Sequence, residues 1–255
     1  VGATETAILI SCLSNKKVTL RNIAIEPEVI DLINFLNQAG ANIRFSRKRS
    51  LIVNGVKNLK GIEYKIMPDR IEAGTYIVAS AITKSPLILN NISIDHLKNM
   101  IVVFKKIGLE FKFISNSSLK ILPNKLKSIK IKTVPYPGFP TDMQAQLMSL
   151  LIFAEGSSEI REDIFENRFL HVLELQRMGA VIEINNNKAK ITGTSLLSGA
   201  QVMATDLRAS VCLVLAGLVA KGKTTINRIY HLERGYENLV IKLKKCGAKI
   251  RIINA

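Results

Sequence analysis

"MQAQLMSLLIFA" (residues 143–154) decides the fold. Its length is that of a helix, and it carries no charge. A helix that is apolar nearly all round has to be covered on every side. Two further stretches share this character: "AGTYIVASAIT" (73–83) and "ASVCLVLAGLVA" (209–220). The chain therefore predicts several central helices enclosed by other elements.

Each apolar helix is followed by parts in a fixed order. A β-type strand such as "PLILNNISI" (86–94) comes next. An amphipathic helix follows, as in "DHLKNMIVVFKKIG" (95–108), charged on one face and ending at a glycine. Further strands of alternating or apolar pattern close the unit. The glycines Gly40 ("QAGANIRF"), Gly108 ("KKIGLEFKF"), Gly179 ("QRMGAVIEI") and Gly247 ("KKCGAKIRI") mark four copies, separated by 68, 71 and 68 residues. Each is placed as a left-handed helix stop before a strand. Units of this size are larger than most solenoid repeats. Repeated α-β-α-β-β units with buried helices and outer sheets predict an inside-out α/β barrel, the inverse of a TIM barrel. Residues 68–255 are expected to form a domain of three units. Residues 1–67 are expected to be the last unit of an incomplete first domain.

Composition narrows the function. The chain has 255 residues, is 47% hydrophobic and carries a formal charge of +16. That charge suits an anionic ligand. The lysines are scattered, without a basic run or a set of stacking aromatics, which argues against nucleic acid. The longest uncharged stretches run to about 15 residues, too short to span a bilayer. Cys12, Cys212 and Cys246 have no CxxC spacing and read as structural thiols of a reducing compartment. His96, His171 and His231 lack metal-ligand spacing, so no metal site is expected. The chain opens on Val1 rather than methionine and directly on a helix start, so a missing N-terminal part is expected.

Charge sits at the mouths of the apolar helices: Asp69 and Arg70 in "PDRIEAG", Asp142 in "FPTDMQAQ", Asp206 and Arg208 in "ATDLRAS". Asp69 with Glu72, and Thr141 with Gln144, have capping-box spacing. For Asp69 the cap is the favoured reading, and for Asp206 cap and site stand level. If Thr141 serves as the cap, Asp142 is left free. Pro135, Pro137 and Pro140 stiffen the approach to it. A rigidly placed carboxylate near a substrate hydroxyl suits a general base. Arg168 in "FENRF", Arg208, and Arg234 in "HLERGYE" occupy equivalent ends of the repeats and are expected to converge. Converging guanidiniums suit phosphate and carboxylate.

The motifs "VGAT", "EPEVIDLINFLNQAGA", "PDRIEAGT", "PGFPTDMQAQ", "FENRF", "GAQVMATDLRAS" and "RGYE" together resemble the UDP-N-acetylglucosamine 1-carboxyvinyltransferases, enolpyruvyl transferases that open peptidoglycan synthesis. The resemblance runs from end to end. It implies two domains of three units with the active site in the cleft between them, in a bacterial cytoplasmic enzyme. It implies attack of the sugar 3′-hydroxyl on C2 of phosphoenolpyruvate, a tetrahedral intermediate and loss of phosphate. Both substrates are anionic, and no metal or organic cofactor is implied. Asp142 matches the aspartate at the sugar hydroxyl, the candidate base. Arg234 matches the arginine that binds phosphoenolpyruvate. Arg168 and Arg208 match cleft arginines. Val1 and Gly2 in "VGAT", with Ile164 and Phe165, match positions on the UDP-sugar side. Asp69, Arg70 and Asp206 are carried as further binding candidates.

The resemblance also places a mobile loop with a cysteine or aspartate, and a Lys–Asn pair, upstream of residue 1. Cys12, Cys212 and Cys246 lie elsewhere in the repeat and do not stand in for that cysteine. The missing N-terminal half is thus an expected partner, and the chain alone is expected to be inactive. The alternatives are 3-phosphoshikimate 1-carboxyvinyltransferase, with the same fold and donor, and a non-catalytic remnant. "PGFPTDMQAQ" and "FENRF" favour the UDP-sugar enzyme, and intact Asp142, Arg208 and Arg234 argue against a remnant.

Overall fold

Four helices stop the same way. In each, the residue after the marker glycine donates its N–H to a carbonyl five residues back: Ala41 to Leu36, Leu109 to Phe104, Ala180 to Leu175 and Ala248 to Leu243. This is the Schellman pattern. Gly40, Gly108, Gly179 and Gly247 all have positive φ, between 94° and 114°. At Gly108 glycine is required twice over, because a Cβ would stand 2.3 Å from the Lys125 carbonyl oxygen.

The computed structural model describes residues 1–194 and 196–253. The chain divides into two compact units. The first comprises Val1–Pro68 with Pro135–Pro137. It holds α1 (Gly2–Cys12), β1 (Lys17–Arg21), α2 (Pro27–Gln38), β2 (Asn42–Arg47) and β3 (Ser50–Asn54). Its sheet is antiparallel in the order β1-β3-β2. Leu51 and Val53 of β3 point inward and pack with Ile8, Val29 and Ile33.

The second unit comprises Asp69–Val134 and Gly138–Ala255. Its elements run α3 (Arg70–Ile82), β4 (Leu87–Asn90), α4 (Ile94–Ile107), β5 (Glu110–Ser115), β6 (Ser118–Leu122) and β7 (Lys130–Lys132). A 3-10 turn, Thr141–Met143, leads into α5 (Gln144–Leu151). Then come β8 (Ser157–Arg161), α6 (His171–Arg177), β9 (Val181–Asn185), β10 (Lys188–Thr192) and β11 (Gln201–Met203). The described part ends with α7 (Leu207–Gly217), β12 (Thr225–Asn227), α8 (Tyr230–Glu233) and α9 (Leu239–Lys245).

The three apolar helices α3, α5 and α7 pack against one another. Every residue of α5 is buried, as are Ala73–Ile82 of α3 and Ala209–Ala216 of α7. Small residues let them approach. A Cβ on Gly74 would meet the Met143 thioether at 2.9 Å. Sheets in the orders β4-β6-β5 and β7-β8-β10-β9 cover this core with Leu119, Ile121, Ile160, Ala189 and Ile191. The amphipathic α4 inserts Leu97, Met100, Ile101 and Phe104 and leaves Val102 exposed.

Two expectations need correction. The run 86–94 is strand only to Asn90. Asn91 turns left-handed (φ 57°) and ends it, and Ser93 becomes the N-cap of α4. The strand expected after Gly247 does not form over residues 248–253, and no strand among the described residues pairs with them. A strand without a ladder partner leaves its backbone groups unpaired. Instead β11 and β12 pair in parallel as a two-stranded sheet.

Candidate active site

Three elements of the second unit deliver charge to one point. The proline run ends in a fixed entry. Phe139 is buried edge-on against the Phe104 ring, and the Val134 N–H donates to its carbonyl. Pro140 is extended, and the chain then turns through Thr141–Met143. Asp142 sits in that turn. Arg168 lies between β8 and α6, and Arg208 in the first turn of α7.

Arg168 Nη2 donates to Asp142 Oδ1 at 2.8 Å, and Arg208 Nε donates to the same oxygen at 3.2 Å. The two arginine side chains are 13% and 16% exposed, while that of Asp142 is 41% exposed. Among the described residues nothing bonds to Oδ2. Burial raises the Asp142 pKa, but Arg208 and then Arg168 outweigh it and hold the carboxyl below the ordinary carboxylate range. Burial works against the Arg208 charge, and Asp142 and the adjoining Tyr236 hydroxyl more than restore it. Tyr236 is itself held in a buried polar set, 2.9 Å from Thr75 Oγ1 and accepting from Gln146 Nε2 at 3.2 Å.

The expected cap at Thr141 is not made. Its hydroxyl donates to Glu162 Oε2 at 2.8 Å and accepts from Arg168 Nε at 3.3 Å. Gln144 is buried without a side-chain partner among the described residues. Nor is Asp142 free, since two guanidiniums hold one of its oxygens. The Thr141 hydroxyl is instead committed on both sides, its proton to the buried Glu162 carboxyl group and its oxygen to the Arg168 guanidinium, a charged donor that displaces a backbone N–H.

Asp69 is the N-cap of α3, accepting from the N–H of Ile71 and Glu72. Glu72 bonds Lys242 instead of completing the box. Asp206 caps α7 in the same way, accepting from Arg208 and Ala209. Arg70 is buried in the first turn of α3. Ile164 and Phe165 are exposed beside the cluster, and the Arg168 guanidinium stacks 4.4 Å from the Phe165 ring centroid. Arg234 follows α8, is exposed, and makes no bond to the cluster among the described residues. Val1 and Gly2 belong to the first unit, where Val1 precedes α1 and Gly2 opens it. Glu162, Thr141 and Tyr236 were not singled out from the sequence as site residues.

Cys12 and Cys212 are buried and Cys246 is exposed. Burial pushes the Cys212 thiol up to about 12. No helix among the described residues is long and apolar enough to cross a membrane. Among the same residues no group of three or more His, Cys, Asp or Glu is placed to hold a metal.

His171, buried at the start of α6, has its pKa lowered to about 4, by burial first and by Arg168 against the pull of Asp206. The unfolded chain then binds the proton more readily, so stability falls as pH drops from about 6.5 to about 4. The loss amounts to roughly 3 kcal/mol. Thermal melts of His171→Phe are expected to be flatter than wild type across that window. Identical slopes would contradict a buried neutral imidazole.

A family model described as EPSP synthase (3-phosphoshikimate 1-carboxyvinyltransferase) matches residues 1–243. The chain belongs to this family. Among curated EPSP synthase family relatives, it is 54% identical over 254 residues to UDP-N-acetylglucosamine 1-carboxyvinyltransferase of Pelagibacter ubique (strain HTCC1062), covering 100% of this chain and 61% of the relative. It is 51% identical over 250 residues to UDP-N-acetylglucosamine 1-carboxyvinyltransferase 1 of Clostridium acetobutylicum, covering 98% and 60%. Among solved structures, the enolpyruvyl transferase NikO from Streptomyces tendae superposes with a TM-score of 0.89 at 28% identity, over 98% of this chain and 60% of that one. EPSP synthase from Acinetobacter baumannii shares the fold, with a TM-score of 0.77 at 16% identity over 97% and 60%. The chain thus has the enolpyruvyl transferase fold and spans about 60% of the length of these relatives.

Proposed function

We propose that this chain carries part of the site of an enolpyruvyl transferase acting on UDP-N-acetylglucosamine and phosphoenolpyruvate. The observation that carries the reading is the Asp142 carboxylate. One oxygen is clamped by Arg168 and Arg208, and the other has no bonding partner among the described residues on a half-buried side chain. Relatives of that name at 54% and 51% identity support this acceptor over shikimate 3-phosphate.

The open oxygen accepts the hydrogen bond of the sugar 3′-hydroxyl and aims its oxygen at C2 of phosphoenolpyruvate. The clamp keeps Asp142 ionised but makes it a weak base as it stands. Base strength rises when the phosphate and carboxylate of the donor draw the guanidiniums away. The hydroxyl oxygen then adds to C2 as Asp142 takes its proton, and C3 takes up a proton delivered from solvent through an acid outside this chain's cluster. The C2–O bond to phosphate breaks, phosphate leaves as the inorganic ion, C3 returns a proton to solvent, and the double bond re-forms in the enol ether. Arg234, exposed and unpaired among the described residues, is assigned to the donor. Ile164 and Phe165, with Val1 and Gly2, are assigned to the UDP-sugar. Asp69 and Asp206 act as helix caps that seat Arg70 and Arg208. A bacterial cytoplasmic role at the start of peptidoglycan synthesis follows from this reading.

Calorimetry tests it in the protein completed with the portion of the Pelagibacter ubique relative that this chain does not span. UDP-N-acetylglucosamine is expected to bind saturably and shikimate 3-phosphate not to bind. The reverse order would replace the acceptor.

A further inference from the structure

Glu162 is a charged side chain only 4% exposed, immediately after β8. Burying a carboxylate is costly unless hydrogen-bond donors replace the lost water. Three donors do so here. Glu162 Oε1 accepts from the N–H of Ile164 at 2.8 Å and of Phe165 at 3.0 Å, and Oε2 accepts from Thr141 Oγ1 at 2.8 Å. These contacts fix the backbone that carries the Phe165 ring, on which Arg168 stacks. They also orient the Thr141 hydroxyl. Its single proton goes to Glu162, so a lone pair faces Arg168 Nε. Both arms end on Arg168, which holds Asp142 through Nη2.

We propose that Glu162 is a positioning residue for transfer, setting the 163–168 loop and the Arg168 guanidinium through the Ile164 and Phe165 amides and the Thr141 hydroxyl. The inference rests on the function proposed above. All three partners of Glu162 are donors, and this makes the prediction sharp. Glutamine has the same shape but brings an amide NH2: turned toward Ile164 and Phe165 it meets two donors, and turned toward Thr141 it forces that hydroxyl to swing its proton away and accept instead.

The test uses the protein completed to the length of its relatives. Glu162→Gln is expected to lower kcat/KM by between about tenfold and a hundredfold, mainly through a raised KM for UDP-N-acetylglucosamine. Thr141→Val loses part of this, and Thr141→Ser recovers most of what Thr141→Val loses. The Arg168 Nε–H resonance, followed by NMR without substrate, is expected to be protected from exchange in wild type and in Thr141→Ser, less protected in Glu162→Gln, where the Thr141 hydroxyl is reoriented, and unprotected in Thr141→Val, where its acceptor is gone. That readout does not depend on the acceptor, so a wrong acceptor and a wrong role for Glu162 are told apart. If Glu162→Gln does not fold, Thr141→Val carries the same test. A lowered Tm with kcat/KM and the Arg168 signal unchanged would overturn the proposal.

Discussion

Replacing Asp142 by asparagine is expected to lower kcat by about 10²–10⁴-fold, the range for loss of a positioned acid–base group. The shape of the side chain is conserved, but the charge is not. The Arg168 and Arg208 guanidiniums then face a neutral amide, and if its NH2 is turned inward they meet a donor. The open oxygen that would take the sugar hydroxyl loses its basicity at the same time. Asp142 is ionised at neutral pH, because its carboxyl lies below the ordinary range. Its contribution to stability is therefore present above the ordinary carboxylate pKa and is lost only as pH falls through the still lower folded value. Steady-state phosphate release by Asp142→Asn in the protein completed to the length of its relatives measures the effect. A loss of less than about tenfold would remove Asp142 from the chemistry.

The second large effect concerns the core. Leu147 is fully buried in α5, one of the three mutually packed apolar helices. Leu147→Ala is expected to cost about 3–5 kcal/mol, because the surrounding helices are held by their own sheets and relax little into the cavity. Leu173→Ala on α6, where the side chain is 64% exposed, is expected to stay within about 0.5 kcal/mol. Urea unfolding of the two variants gives the comparison. Equal destabilisation would contradict an arrangement with α5 among the buried central helices and α6 outside.

The central helices were legible because an uncharged run of helix length has only one stable environment. The helix stops were legible because a left-handed C′ position selects glycine, and all four markers have positive φ. The fourth unit misled. "AKIRI" alternates like a strand, but a strand exists only where a neighbour pairs with it, and sequence pattern does not report the neighbour.

At the site, Asp142, Arg168 and Arg208 were identified by position, and the structure brings them within hydrogen-bond distance. Their mutual bonds were not foreseen. Thr141 shows why. Capping-box spacing describes local options, whereas the hydroxyl is claimed by Glu162, 21 residues away in sequence. Glu162 left a faint local signal, a carboxylate two and three residues ahead of the amides it binds. Its burial, which makes those bonds obligatory, is a tertiary fact. Tyr236 was hidden in the same way, because its partners Thr75 and Gln146 sit on two other elements.

Product analysis gives the most direct test of the proposed chemistry. The protein completed to the length of its relatives is incubated with phosphoenolpyruvate and either UDP-N-acetylglucosamine or shikimate 3-phosphate, and phosphate and product are followed by NMR. With the UDP-sugar, one phosphate is expected per enol ether formed on the 3′-oxygen, and Asp142→Asn is expected to abolish nearly all of it. Phosphate release with shikimate 3-phosphate alone, or turnover that Asp142→Asn leaves intact, would contradict the assignment.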